Sequence, residues 1–240
     1  MPVVQKGTTI TDLQFNTNSK LVVFSADDST TGIVKPADNK VDQIFSDHDR
    51  NYSCNSISIN SNDNLVASGS ADGHLVVRSL RDGEVVMTDR QIRSPITKCR
   101  FSPTSQRTLA TSFESGVVAL WDLQSKALKQ KFLAHSASCT GIAFSPVNNL
   151  LMCSVGLDEK IHFFDIVECK EVKQIMTGLQ LSCISFCSDG HTIAVGSEQG
   201  GKALVYDLKT PKTVKLDLKG HEKSKRVSCI QFTRLYTPSS

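Results

Sequence analysis

One short segment of alternating apolar residues returns six times, and its spacing limits the possible folds more than anything else in the chain. It appears as "ITDLQF" ending at Phe15, "NSISI" at Ile59, "ITKCRF" at Phe101, "CTGIAF" at Phe144, "LSCISF" at Phe186 and "VSCIQF" at Phe232. The end residues lie 44, 42, 43, 42 and 46 positions apart. After each of the first five comes a polar turn rich in Asn, Asp, Ser, Pro or Gly, then a second apolar run such as "NLVASGS" or "NLLMCSV". A tight turn and a third run follow ("VVALWDL", "KIHFFDI", "KALVYDL"), and a more polar fourth run closes the unit. Alternation of period two marks strands, and no stretch sustains the i, i+3, i+4, i+7 spacing of a helix.

Four strands in about 43 residues cannot bury both faces alone. A repeat of roughly 40–45 residues solves this by stacking four-stranded sheets around a channel. The expected fold is an all-β propeller filling residues 1–233. Its units run about 8–48, 52–90, 95–135, 138–177 and 180–221, with a partial unit from 226 and an irregular tail at 234–240. The first unit is irregular around "SADDSTTGIVKPADNK". Five units and one opening strand fall short of a closed ring. The expectation is therefore a fragment or truncated product, with an open solenoid of blades as the alternative.

These units resemble WD40 repeats. Trp121 and Asp122 form the WD dipeptide that ends the third strand, and Phe164–Asp165 and Tyr206–Asp207 are variants of it. His48, His135 and His221 stand where the family has its Gly-His, each shortly before an anchor strand. The resemblance implies that such a His pairs with an Asp in the turn between the second and third strands. The spacing offers two pairs, His48 with Asp72 and His135 with Asp158, and each would brace a blade by a charge-assisted bond. Departures are plain. Arg78 and Ser79 replace the dipeptide in the second unit, and Ser115 and Gly200 stand where the third and fifth units would carry the Asp.

A finer resemblance covers nearly the whole chain and is sharpest from about 110 to 235. "HSASCTGIAFSPVNNLLMCSVGLDEKIHFFD", with "SGVVALWDLQS" before it and "GSEQGGKALVYDLK" after, is similar to centrosomal WD40 proteins of the NEDD type. What this implies is a non-enzymatic adaptor of the cytoplasm, centrosome and spindle. It would help recruit the γ-tubulin ring complex for microtubule nucleation in mitosis, through a helical region absent from this chain, while the propeller engages centrosomal or spindle proteins. The alternative is a WD40 substrate receptor or subunit of another complex, in ubiquitin ligation or RNA processing.

Other features set limits. Lysine and arginine total 27 against 24 acids, too small an excess to point to nucleic acid. No run approaches about 18 apolar residues, so no membrane partner is expected, and the first residues lack a secretory pattern. Eight cysteines without a C-x-x-C fit buried thiols in a reducing compartment, with no metal or other cofactor expected. No phosphate-binding or nucleophile-elbow motif is present, and "GSEQGGK" lacks the P-loop spacing. Two basic clusters are candidates for partner contact. Lys209, Lys212, Lys215, Lys219, Lys223, Lys225 and Arg226 face only two acids in the same stretch and suit an acidic partner surface; a solvated outer strand and loop is the plainer reading. Arg90, Arg93, Lys98 and Arg100 surround "RSP", where phosphorylation of Ser94 would add negative charge among the bases; an ordinary loop is the plainer reading there. Arg78 and Phe113, as departures from the repeat, are further candidates for partner contact.

Overall fold

The computed structural model describes residues 7–38, 40–210, 214–219 and 225–232. They form five antiparallel four-stranded sheets, each ordered as in the sequence. The first sheet comprises Ile10–Phe15, Val22–Ala26, Thr31–Lys35 and Lys40–Phe45; the second, Cys54–Ile59, Leu65–Ser70, Leu75–Ser79 and Val85–Asp89. The third comprises Ile96–Phe101, Thr108–Phe113, Val117–Asp122 and Ala127–Leu133; the fourth, Cys139–Phe144, Leu151–Gly156, Lys160–Asp165 and Lys170–Met176. The fifth comprises Leu181–Phe186, Thr192–Ser197, Lys202–Asp207 and Val214–Lys219. The first unit, irregular as sequence, is a regular sheet. A single 3-10 turn at Pro36–Asp38 absorbs its odd stretch before the fourth strand.

The sheets are propeller blades. The opening strands of successive blades touch one another and line the channel, while the fourth strands lie outermost. From the second blade on, each opening strand is covered by the blade before it. Ile57 and Ile59 pack with Val23 and Ile33 of the first blade, and Leu181 packs with Val155 and Phe163 of the fourth. The largest core links the second and third blades through Leu75, Val77, Ile96, Phe113 and Trp121. Each large aliphatic side chain so buried contributes about 1.5–3 kcal/mol. Buried thiols take part in these cores: burial pushes the thiol of Cys99 up to about 11 and that of Cys139 up to about 12. Such thiols stay protonated and act as packing. Cys54 and Cys153 are likewise buried and raised.

The opening strands carry a device that repeats in all five blades. A β-bulge falls at their second residue: the pairing skips Thr11, Asn55, Thr97, Thr140 and Ser182. A bulge re-aims the side chain of the extra residue, and here each one reaches the next blade. Thr11 donates to the Cys54 carbonyl, Asn55 Nδ2 to Ile96 (2.9 Å), Thr97 to Cys139, Thr140 to Leu181 (2.7 Å) and Ser182 to Val227 (2.6 Å). Val227 thereby holds the place that begins an opening strand, and its N–H donates to the Ser197 carbonyl.

Candidate functional site: a braced blade end and its partner surface

The residues singled out by the repeat gather at the third strands and at the turns that lead into them. Trp121 is 1% exposed, and its Nε1–H donates to Thr111 Oγ1 at 2.8 Å. Phe164 and Tyr206 fill the same position in the next two blades and are buried. Phe164 lies 4.6 Å, centroid to centroid, from Phe132 on the outer strand of the preceding blade. Each partner Asp closes the hairpin that follows. Asp122 Oδ1 accepts from Gln124 N (2.9 Å), Asp165 Oδ1 from Val167 N and Glu168 N (both 2.8 Å), and Asp207 Oδ1 from Lys209 N (2.9 Å). These acids are turn formers, the ordinary work of Asp at such a place.

The two His–Asp pairs differ. In the fourth blade His135 Nδ1–H donates to Asp158 Oδ1 at 2.8 Å, and Nε2 accepts from Ser154 Oγ at 2.7 Å. Burial lowers the pKa of His135, outweighing Asp158; burial would raise Asp158, but the His135 bond and charge, the Ser136 N–H and His162 together outweigh it and hold Asp158 below the usual carboxylate range. A neutral imidazole thus donates to an ionised carboxylate. In the second blade the expected His48–Asp72 bond is absent. His48 Nε2 pairs with Ser68 Oγ at 2.8 Å, and buried Nδ1 has no hydrogen-bond partner. Asp72 is drawn instead to Ser70 Oγ, His74 N and the Arg90 guanidinium. With no carboxylate bonded, burial and the neighbouring His74 lower the pKa of His48 to about 4. His221 lies outside the described residues.

The described residues of the basic segment fall into two groups. Lys215 and Lys219 lie on the exposed outer strand of the fifth blade, and Lys209 sits in the turn before it. Lys225 and Arg226 lie by the channel, where Lys225 O accepts from Gly201 N and Arg226 Nε lies 3.1 Å from Glu198. Gly201 precedes Lys202, which pairs with Lys219, so Lys225 lies close to the end of the outer strand. Lys212 and Lys223 are outside the described residues. Arg78 and Phe113 are not partner contacts either. The Arg78 guanidinium bonds Asp47 and the Gly83 carbonyl and lies 4.4 Å over the Phe45 ring, joining the first two blades. Phe113 is 1% exposed within the core.

Two depressions share Pro95 at the end of the propeller where the opening strands begin. One, of about 650 Å³, is lined by Tyr52, Asp72, Arg90, Arg93, Ser94 and Pro95. The other, of about 520 Å³, is the channel mouth, ringed by the bulge residues Thr11, Asn55, Thr97, Thr140 and Ser182 together with Lys98, Glu114, Glu198 and Arg226. Ser94 is half-buried and its Oγ accepts from Ser115 N at 3.0 Å. Tyr52 is 43% exposed, and Arg90 and Arg93 are exposed as well. Tyrosine and arginine are the residue types that anchor protein interfaces. Deeper in the channel, Asp12 of the first blade meets Lys98 (3.1 Å) and Arg100 (3.6 Å) of the third and accepts from Ser56 Oγ (2.9 Å) of the second. Burial alone would raise Asp12; the two cations and the hydroxyl outweigh it and hold it below its usual range. This ion cluster ties three blades together.

Sequence reasoning did not find the bulge residues, the Asp12 cluster or His162. The first was visible once the anchors were aligned, since their second position is always Thr, Ser or Asn. His162 stands where the second, third and fifth blades have Val76, Ala119 and Leu204. Among the described residues no helix is long and apolar enough to cross a membrane.

A family model for the WD domain, G-beta repeat, matches residues 39–79 and 126–165. Human Protein NEDD1 is 29% identical over 98% of this chain and 36% of its own length. Mouse Protein NEDD1 is 36% identical over 58% of this chain and 21% of its own length. A chain of the crystal structure of the mitotic checkpoint complex superposes with a TM-score of 0.83 at 16% identity, covering 92% of this chain and 68% of that one. That likeness shows the fold alone. This chain spans about a third of the human relative's length. The repeat, the blade geometry and these relatives agree on a β-propeller with matched WD repeats that is similar to part of NEDD1, and they support a protein-interaction scaffold.

Proposed function

We propose that this chain is the placing domain of an adaptor that brings the γ-tubulin ring complex to centrosome and spindle. The observation that carries the reading is similarity to human NEDD1 across 98% of the chain, with nearly two-thirds of that relative lying beyond the matched part. The division of labour follows from the fold. Trp121, His135, Asp158 and Asp12 tie strands and blades together. Exposed Tyr52 and Arg93 beside the channel mouth have the chemistry of an interface. The propeller then positions, and a separate region of the whole protein binds the γ-tubulin complex.

Immunoprecipitation of the full-length protein from mitotic cells tests this. Recovery of γ-tubulin supports the reading. Recovery of other partners without γ-tubulin overturns it and leaves a WD40 scaffold of another complex. That second reading has its own support, since the GATOR2 complex protein WDR24 of Danio rerio is 28% identical over 61% of this chain.

A further inference from the structure

His162 poses a problem that blade bracing does not answer. It sits on the third strand of the fourth blade, its side chain only 3% exposed. Its Nδ1 is 3.0 Å from Glu171 Oε1, so Nδ1–H donates to that carboxylate. The remaining nitrogen, Nε2, is buried without a hydrogen-bond partner and lies 3.8 Å from Asp158 Oδ2. In neutral His162 that nitrogen carries a lone pair, so two electron-rich atoms face each other in a dry place. Such an arrangement requires a positive charge between them.

The surroundings supply a ligand set. His135 Nδ1 is 2.8 Å from the other oxygen of Asp158. The His135 and His162 rings meet edge to face, with centroids 4.4 Å apart. One ligand atom from each of His135, Asp158 and His162 lies within 4.8 Å of the other two. Ligands held tetrahedrally about 2.0–2.1 Å from zinc stand roughly 3.3–3.5 Å apart, so small side-chain rotations would close the cage. The outer groups are also in place. Glu171 accepts from the far nitrogen of His162, and Ser154 Oγ lies 2.7 Å from the far nitrogen of His135. Metal-bound histidines characteristically have their second nitrogen held in this way.

We propose that His135, Asp158 and His162 form a site for a divalent transition-metal cation, with zinc the natural occupant of two imidazoles and a carboxylate. The ligands come from the turn before the opening strand, the turn between the second and third strands, and the third strand itself. The cation would therefore clamp the fourth blade. On binding, the proton on His135 Nδ1 shifts to Nε2, which then donates to Ser154 Oγ. His162 keeps its proton on Nδ1. Neither neutral ring loses a net proton. The second, third and fifth blades cannot do this, because Val76, Ala119 and Leu204 stand in place of His162 there.

The test uses the purified chain stripped by a chelator, then titrated with Zn²⁺ against a chromophoric chelator and, separately, with Co²⁺. One saturable equivalent is expected, with visible cobalt bands and no thiolate charge-transfer band, together with a rise in Tm. His162→Leu, which places the fifth blade's residue here, should abolish that equivalent. Glu171→Gln should weaken it by about 10–100-fold and leave the fold unchanged. Glu171 lies on the exposed outer strand, so this variant decides the matter even if His162→Leu fails to fold. Absence of a saturable equivalent, a thiolate band, or unchanged affinity in Glu171→Gln overturns the proposal. In that case the three side chains serve only to brace the blade.

Discussion

The second and fourth blades carry the same sequence signature and use it differently. Each has a His before the opening strand, a Ser on the second strand and an Asp in the following turn. In the fourth blade His135 joins Asp158 and Ser154 in one buried chain of bonds. In the second, His48 keeps only Ser68, because Arg90 and Ser70 take Asp72. The spacing of His and Asp therefore sets what is within reach, and competing donors decide what forms. A brace is a property of its neighbours as much as of its own residues.

The largest expected effect lies between these blades. Trp121 fills the core between the second and third blades and satisfies Thr111, so Trp121→Ala should cost about 3–5 kcal/mol in denaturant unfolding. It serves as the scale for the rest. The braces should then separate. His135→Ala breaks two buried bonds and leaves the Asp158 carboxylate short of a donor, at about 2–3 kcal/mol; His48→Ala breaks one, at about 1 kcal/mol. Equal costs from urea unfolding would erase the distinction.

A pH titration sharpens the contrast further. His48 has a folded-state pKa near 4 against an ordinary 6.5, so the unfolded chain binds more protons between those values. Its contribution is present above about pH 6.5 and lost as pH falls toward 4. By linkage the loss is on the order of 3 kcal/mol at most. Among the groups around this ring, His74 lowers its pKa and Asp47 and Asp72 oppose that. In His48→Gln the slope of stability against pH over this window should flatten. An unchanged slope would mean that other groups carry it.

The smallest effect is also the most pointed. Arg90 is 54% exposed at its side chain, so Arg90→Ala should change stability by under about 1 kcal/mol. It should nevertheless release Asp72 toward His48 and raise the His48 pKa, as read by NMR of the imidazole. A pKa that stays low would show that Ser70 and the His74 N–H, not Arg90, hold Asp72 away.

Much of this architecture was written in local pattern. The six anchors, their spacing and the aromatic–Asp endings follow from strand alternation and turn chemistry, which are short-range. The His135–Asp158 bond was legible for the same reason: both residues belong to one blade. What failed was competition between partners and contact between blades. Arg90, just after its blade's outer strand, takes Asp72 from His48, and Asp12 meets Lys98 across 86 positions. Arg78 looked like an exposed oddity, yet Asp47 and Phe45 of the preceding blade bury it.

The account's central claim is that braces and ties hold the scaffold while the exposed end beside the channel mouth engages a partner. The most direct measurement is the localisation of this chain, fused to a fluorescent protein, in mitotic cells, beside a Tyr52→Ala, Arg93→Ala double variant with unchanged Tm. The account predicts enrichment of the unaltered chain at spindle poles and loss of that enrichment in the variant. A diffuse signal from the unaltered chain, or equal enrichment of both, would contradict it.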